Sequence, residues 1–196
     1  MKRILCAIVV TMAAAVTSAA NAAVTFSNVV FGGSLPAPTA ETSSHSIDFF
    51  FDQAEVGDST DPVRQGNVTI MYEATSSVGL TQDLLVLSLL GALQGSGVIV
   101  FSETVTDLTS PNPDIIAQHN VVLNMNDQLP HVANLVFSRP STHVKVKKEI
   151  VLSAVDTQGF DLSHVGLIEQ TFREIPVPEP MSALLLGLAG LGLRRR

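Results

Sequence analysis

Residues 143–155, with the sequence HVKVKKEIVLSAV, form the longest candidate strand of the chain and decide its fold class. Val144, Val146, Lys148, Ile150 and Leu152 occupy every second position of this stretch, so they would share one face of a strand. Alternation with a period of two residues is typical of a β-strand that turns one face toward a core. The stretch therefore predicts a strand.

Shorter segments of the same kind lie on both sides of it. They are Val24–Phe31, His45–Phe51, Asn67–Thr75, Leu84–Leu90 (a strand or a short helix), Gly97–Val105, Asn120–Asn126, Val132–Ser138 and His164–Ile175. Turn-rich or loop-like stretches separate them at Gly32–Ser44, Asp52–Gly66, Ser110–Asp114 and Asp156–Asp161. About nine strands without an amphipathic helix predict an all-β fold, a single antiparallel β-sandwich of jelly-roll or immunoglobulin-like type.

The N-terminus has the pattern of a secretory signal peptide. Lys2 and Arg3 precede an apolar run from Ile4 to about Val16, and Ala20-Asn21-Ala22 supplies small residues at the spacing of a cleavage site. We predict a signal peptide over residues 1–23 and a mature chain that begins at Ala23 or Val24. An uncleaved N-terminal anchor is the alternative.

The C-terminus has three parts in a fixed order. Pro178-Glu179-Pro180 comes first, the uncharged run Met181–Leu193 follows, and Arg194-Arg195-Arg196 ends the chain. The run includes Leu184, Leu185 and Leu186 and predicts a short transmembrane helix, although a full crossing usually needs about 20 residues. The arginines are expected to stay on the cytoplasmic side. A buried core helix is the alternative.

These features resemble the PEP-CTERM sorting signal, over about residues 176–196. The resemblance implies export through the Sec translocon of a Gram-negative bacterium, with transient anchoring in the inner membrane. It also implies recognition of Pro178, Glu179 and Pro180 by an exosortase, which releases or re-anchors the protein at the cell surface. A tail retained as a permanent anchor stays open. The secreted domain is then residues 24–175.

Composition restricts the partners of that domain. It contains six basic and seventeen acidic residues, a net charge of −11, within a chain whose net charge is −7. Such a charge argues against nucleic acid and anionic lipid as partners. The single cysteine, Cys6, lies in the signal peptide, so the mature domain has no disulfide. Its stability must come from packing or bound ions.

One acidic loop is a candidate metal site. Asp52, Glu55, Asp58 and Asp61 place four carboxylates within ten residues. Calcium takes six to eight oxygen ligands, but this spacing does not match the EF-hand loop. The loop therefore predicts either a solvated turn or a Ca²⁺ site, and no other cofactor is expected.

Two further groups of side chains are candidates for binding, and for the histidines an ordinary surface or strand-end position is the favoured interpretation. His119 and His131 are close enough in sequence to approach across a hairpin, although no histidine pair has the spacing of a helical metal site. Lys145 and Lys147 share one face of the long strand. They predict either a contact with acidic polysaccharide or a charged strand that resists edge pairing.

The sequence favours a protein that is not an enzyme. It has neither a Gly-x-Ser-x-Gly elbow nor a cysteine in the mature domain, and its lack of Trp and single Tyr72 supply few aromatic platforms for sugars. We expect a structural or adhesive protein of the cell surface, exopolysaccharide or biofilm matrix. A carbohydrate- or Ca²⁺-binding module is the alternative, and a secreted hydrolase with a convergent carboxylate pair is the less favoured one.

Overall fold

The computed structural model describes residues 23–58, 63–88, 93–155 and 159–176. Within these ranges the chain forms eleven β-strands in antiparallel pairs and no α-helix, which confirms the all-β prediction. The strands are β1 (Thr25–Gly33), β2 (Thr39–Thr42), β3 (Ser46–Phe50), β4 (Glu55–Gly57), β5 (Gln65–Ser88), β6 (Leu93–Gln94), β7 (Val98–Asp107), β8 (Asp114–Asn124), β9 (His131–Ser153), β10 (Leu162–His164) and β11 (Leu167–Glu174).

The two longest strands, β5 and β9, are the backbone of the fold. They pair from Gln65 opposite Ser153 to Leu87 opposite His131, with an irregular stretch between Thr75 and Gln82. Each of them joins two strands that the sequence predicts separately. The backbone continues across the break because Gly79 there adopts a φ of 97°, which a residue without Cβ reaches at little cost.

The irregular stretch divides the main sheet into two halves. The first half-sheet has the order β1, residues 65–75 of β5, residues 143–153 of β9, β7 and β8. The second half-sheet has the order β2, β3, β11, residues 80–88 of β5 and residues 131–136 of β9. A separate small sheet has the order β4, β10, β6.

The buried faces of the two half-sheets meet in one core. The ring of Tyr72, from the first half-sheet, lies 5.6 Å from that of Phe49 and 6.5 Å from that of Phe172, both in the second. Such aromatic contacts bury a large apolar area between the sheets. This arrangement is consistent with the β-sandwich expected from the sequence.

The alternation in the long strand is confirmed side chain by side chain. The five residues in step, from Val144 to Leu152, are all buried, while Lys145, Lys147 and Glu149 point outward. The short strands β2 and β4, in contrast, fall within stretches that the sequence predicts as loops. Strands of four and three residues are too short to show a period.

Neither terminal segment can be compared with its prediction. The described residues between 23 and 176 belong to one compact unit, and none of them lies in a helix that could span a membrane. The signal peptide up to residue 22 and the tail from residue 177 onward lie outside the described ranges. Both therefore stay predictions.

Candidate functional site

The outward side chains of the first half-sheet form regular rows across neighbouring strands. Asn67, Val151, Val100 and Val122 occupy the same level on β5, β9, β7 and β8. Val100 is 43% exposed and Val122 is 60% exposed. We call these four residues the valine row, in which the three valines place a short apolar strip on the surface of the domain and Asn67 forms a polar end.

The next two levels are mostly polar. One consists of Thr69, Glu149, Ser102 and Asn120, and the other of Met71, Lys147, Thr104 and Gln118. The Lys147 ammonium lies 2.6 Å from the Glu149 carboxylate. We call the valine row and these two levels the outer face. It combines apolar contact area with hydroxyl, amide and charged groups.

A groove of about 370 Å³ adjoins one end of the valine row. Its lining consists of Ser34, Gln65, Gly66, Asn67 and Val151. The Asn67 Oδ1 atom accepts hydrogen bonds from the Ser34 backbone N–H at 3.2 Å and from its hydroxyl at 3.0 Å. The loop after β1 is thereby fixed against β5, and the groove has an ordered polar wall.

The position of the lysines corrects one prediction. Lys145 and Lys147 share the exposed side of β9, as predicted, but β9 lies between β5 and β7 in the first half-sheet. A lysine on a central strand cannot protect a sheet edge, so that interpretation is wrong. The alternative that the sequence offered, a contact with acidic polysaccharide, remains.

A second cluster lies inside the core. Glu103 on β7 and Lys148 on β9 are direct cross-strand partners, each 0% exposed, with Lys148 Nζ 2.8 Å from Glu103 Oε1. Gln170 on β11 donates from Nε2 to the same carboxylate oxygen at 2.6 Å and accepts a hydrogen bond from the Tyr72 hydroxyl. Asp83 on β5 completes this set, which we call the buried polar cluster.

The buried polar cluster places several ionisable side chains in the protein core, where burial shifts the pKa values of two of them. Burial, with the neighbouring Glu103 charge, raises the pKa of Asp83 well above its ordinary value of 3.8. Burial, with Glu103 and Asp83, raises the pKa of Tyr72 well above 10.0. Among the described residues, no hydrogen-bond partner is found for both oxygens of Asp83, for Glu103 Oε2 or for Lys148 Nζ. Such groups are rare in native cores and need a chemical explanation.

Part of this cluster was visible in the sequence. Lys148 shares one face of its strand with four apolar residues. Glu103 lies between Phe101 and Val105 on the buried side of β7, two positions from each. Residues charged at buried positions of an alternating pattern are the available signal. The contact of Gln170 with Glu103 could not be predicted in this way, because a local pattern does not show which residues of two facing sheets meet in the core.

The two predicted histidines do approach one another. His119 Nε2 on β8 lies 3.0 Å from His131 Nε2 on β9, with ring centroids 5.3 Å apart and ring planes within 16° of each other. The rings thus face end to end, which is the geometry of an N–H···N hydrogen bond. Burial and the neighbouring His131 lower the pKa of His119 from its ordinary 6.5.

The acidic loop is only partly described. Asp58 accepts hydrogen bonds from Arg64 Nη1 and from the Asp161 backbone N–H, both at 2.7 Å, and these bonds lower its pKa. Asp52 is exposed, Glu55 is half-buried on β4, and Asp61 lies outside the described residues. No group of three acidic, histidine or cysteine residues in the described ranges is arranged to hold a metal. The Ca²⁺ site stays a prediction.

Comparison with known proteins gives only distant similarities. No protein-family model and no curated protein matches the chain. A solved structure of the carbohydrate-binding module TmCBM61 with β-1,4-galactotriose matches at 10% identity and a TM-score of 0.34, over 74% of this chain and 88% of that one. A second, from carbohydrate-binding modules of the β-sandwich superfamily, has the same identity and TM-score over 80% and 58% of the two chains. At these values neither similarity says what this chain binds.

Proposed function

We propose that this chain is an exported polysaccharide-binding protein of the cell surface or extracellular matrix, and that its outer face holds the polysaccharide. The observation that carries this proposal is the valine row beside two polar levels, with the groove at one end. A sugar ring presents both C–H groups and hydroxyls. Exposed aliphatic side chains next to hydroxyl and amide groups suit both, and exposed apolar patches often mark binding surfaces.

The shape of the outer face favours a chain over a single sugar. Adjacent strands are about 4.8 Å apart, so the three valines on β9, β7 and β8 span about 10 Å, and Asn67 on β5 extends the row with a polar side chain. Valine offers less contact area to a sugar than an aromatic ring does, and the sequence has no Trp. Binding would then depend on several sugar units that contact the row together.

Two lysines favour an acidic polysaccharide. Lys145 and Lys147 are exposed on the same side of β9 as the valine row, in a domain that is otherwise strongly acidic. Their ammonium groups are available to carboxylate or sulfate groups of a glycan, at the expense of the Lys147 contact with Glu149. Repulsion from the remaining negative charge limits such binding to this face.

The terminal segments supply the route in this proposal. A signal peptide over residues 1–23 and a PEP-CTERM-like tail over residues 176–196 would deliver the domain to the outside of the cell, where polysaccharide is found. The hydrolase alternative requires carboxylates that a glycan can reach. The two that the core brings together, Asp83 and Glu103, are each 0% exposed.

Affinity electrophoresis in gels that contain neutral or acidic polysaccharides tests the proposal. We expect retardation of the full-length protein, strongest with an acidic polysaccharide, and loss of retardation in the double variant Val100→Ser/Val122→Ser. Val132→Ser/Val136→Ser is the matched control, because these valines are 56% and 66% exposed but lie outside the outer face. Equal mobility of the wild type in all gels, or equal loss in both variants, would overturn the proposal.

A further inference from the structure

The buried polar cluster brings an amine and a carboxyl group together inside the core. The Lys148 amine touches Glu103 Oε1 at 2.8 Å, yet this contact is too poorly directed to count as a hydrogen bond, and Glu103 Oε2 also has no partner among the described residues. An ordinary buried ion pair persists when its remaining hydrogen-bonding capacity is satisfied. This pair does not meet that condition.

The surroundings of the pair suit a reaction between its members. The Phe101 ring centroid lies 5.6 Å from Lys148 Nζ, and the side chains of Lys148, Glu103 and Tyr72 are almost completely buried. Gln170 Nε2 donates to Glu103 Oε1, where negative charge develops if a nucleophile attacks the carboxyl carbon. Asp83 interacts electrostatically with both Glu103 and Lys148, and its burial raises the pKa of its carboxyl well above the ordinary 3.8.

We propose that Lys148 and Glu103 join spontaneously through an amide bond between Lys148 Nζ and Glu103 Cδ, so that the folded domain carries an internal covalent cross-link between β9 and β7. Asp83 acts as the proton shuttle, and the Gln170 amide stabilises the oxyanion. The proposal is independent of what the outer face binds.

The step is balanced without any other reactant. The Lys148 ammonium passes one proton, by way of Asp83, to the Glu103 carboxylate, which leaves a neutral amine and a neutral acid. The amine lone pair attacks Cδ and places the charge on Oε1 beside Gln170. Asp83 protonates Oε2, which departs as water, and then recovers a proton from Nζ. The net change is an ammonium and a carboxylate converted into one amide and one water.

The protein interior reverses the usual direction of this equilibrium. In water, the separated ions are well hydrated, and hydrolysis is favoured by the abundance of water. In the core, two ions that have lost their hydration are replaced by one neutral amide, which is far less costly to bury. The fold thus supplies both proximity and the driving force.

A cross-link of this kind would give the predicted secreted domain a covalent link between two strands in place of a disulfide. An exported domain is exposed to proteases and changing solvent, and a disulfide is the common covalent support there. The predicted mature domain has no cysteine. A bond that links residues 103 and 148 closes a loop of the unfolded chain, which stabilises the folded state in the same manner as a disulfide.

Mass spectrometry of the full-length protein tests the inference. The denatured wild type is digested and mapped, and we expect a branched peptide that joins position 103 to position 148, lighter than its two components by one water. Trypsin should fail to cleave after Lys148. Recovery of the two unlinked peptides from folded wild-type protein, or a branch at Asp83 in place of Glu103, would overturn the inference.

Variants identify the roles of the side chains. Lys148→Met/Glu103→Leu removes the reactants with apolar groups of similar size and should show no branched peptide. Asp83→Asn retains both reactants, and circular dichroism checks that the variant is folded. We expect this variant to form the bond much more slowly than the wild type or not at all. If Asp83→Asn is linked as fast as the wild type, Asp83 is not the proton shuttle. Because the wild-type map decides the main question, a variant that fails to fold leaves the test intact.

Discussion

Glu103 and Lys148 face each other across β7 and β9, 2.8 Å apart and with neither side chain exposed. Their position between the two half-sheets places an amine and a carboxyl group at the centre of the core. Gln170 ties this pair to the second half-sheet through Glu103, and Tyr72 ties Gln170 back to the first. The cluster therefore links the two halves through polar contacts as well as apolar ones.

Removal of one member of the pair should be worse than removal of both. In Lys148→Met the Glu103 carboxylate stays buried without a counter-charge, whereas Lys148→Met/Glu103→Leu leaves no buried charge at this position. We expect the single variant to be less stable than the double one by about 3–5 kcal/mol, because an uncompensated buried charge carries that penalty. Urea unfolding of both proteins measures the difference. Equal stabilities would mean that solvent reaches this part of the core.

Asp83 should make the domain less stable as the pH rises. The folded-state pKa of its carboxyl is raised, so its contribution is fully present below the unfolded value near 3.8 and is lost as the pH rises through the folded value. Asp83→Asn removes this dependence. We expect the free energy of unfolding of the variant to increase relative to that of the wild type as the pH rises above about 4. A difference that is constant from pH 4 to pH 9 contradicts the assignment.

The His119–His131 contact should weaken in acid. Its N–H···N hydrogen bond requires that one of the facing nitrogens be free of a proton. The pKa of His119 is lowered in the folded state, so the stabilisation is present above 6.5 and is lost as the pH falls through the folded value. We expect His119→Phe to remove a pH-dependent contribution of about 1 kcal/mol. An NMR titration in which His119 titrates above 6.5 would contradict this.

The predicted ends of the chain are testable by intact mass of the protein from its producing cells, measured separately in membranes and medium. We expect a chain that starts at Ala23 or Val24 and ends near Pro178–Pro180, because the signal peptide and the PEP-CTERM-like tail are both expected to be processed. A membrane form that retains residues 181–196 would show that the tail is a permanent anchor.

The local pattern of the sequence was enough for the strands and for much of the core. Period-two alternation correctly predicts that Val146 and Ile150 are buried and Lys145 is exposed, because alternate residues of a strand point to opposite faces of the sheet. It could not reveal that Asn67–Thr75 and Leu84–Leu90 fall largely in one strand, because the pairing of that strand is irregular between Thr75 and Gln82, where Gly79 has a positive φ.

The candidate sites depended on pairing, which the sequence does not contain. The valine row becomes visible only when the register places Val100 beside Val122 and Val151. The buried polar cluster required Gln170 of one half-sheet to meet Glu103 of the other. Lys148 was in step with the core residues of its strand, so its burial follows from the pattern, although its neighbours Lys145 and Lys147 suggest a surface cluster.

Hydrogen–deuterium exchange of the protein with and without an acidic polysaccharide tests the central proposal most directly. We expect slower exchange in peptides from β7, β8 and residues 65–75 of β5, which carry the outer face, and unchanged exchange in β3 and β11. No change anywhere at saturating polysaccharide, or protection confined to β3 and β11, would contradict the assignment of the outer face as the binding surface.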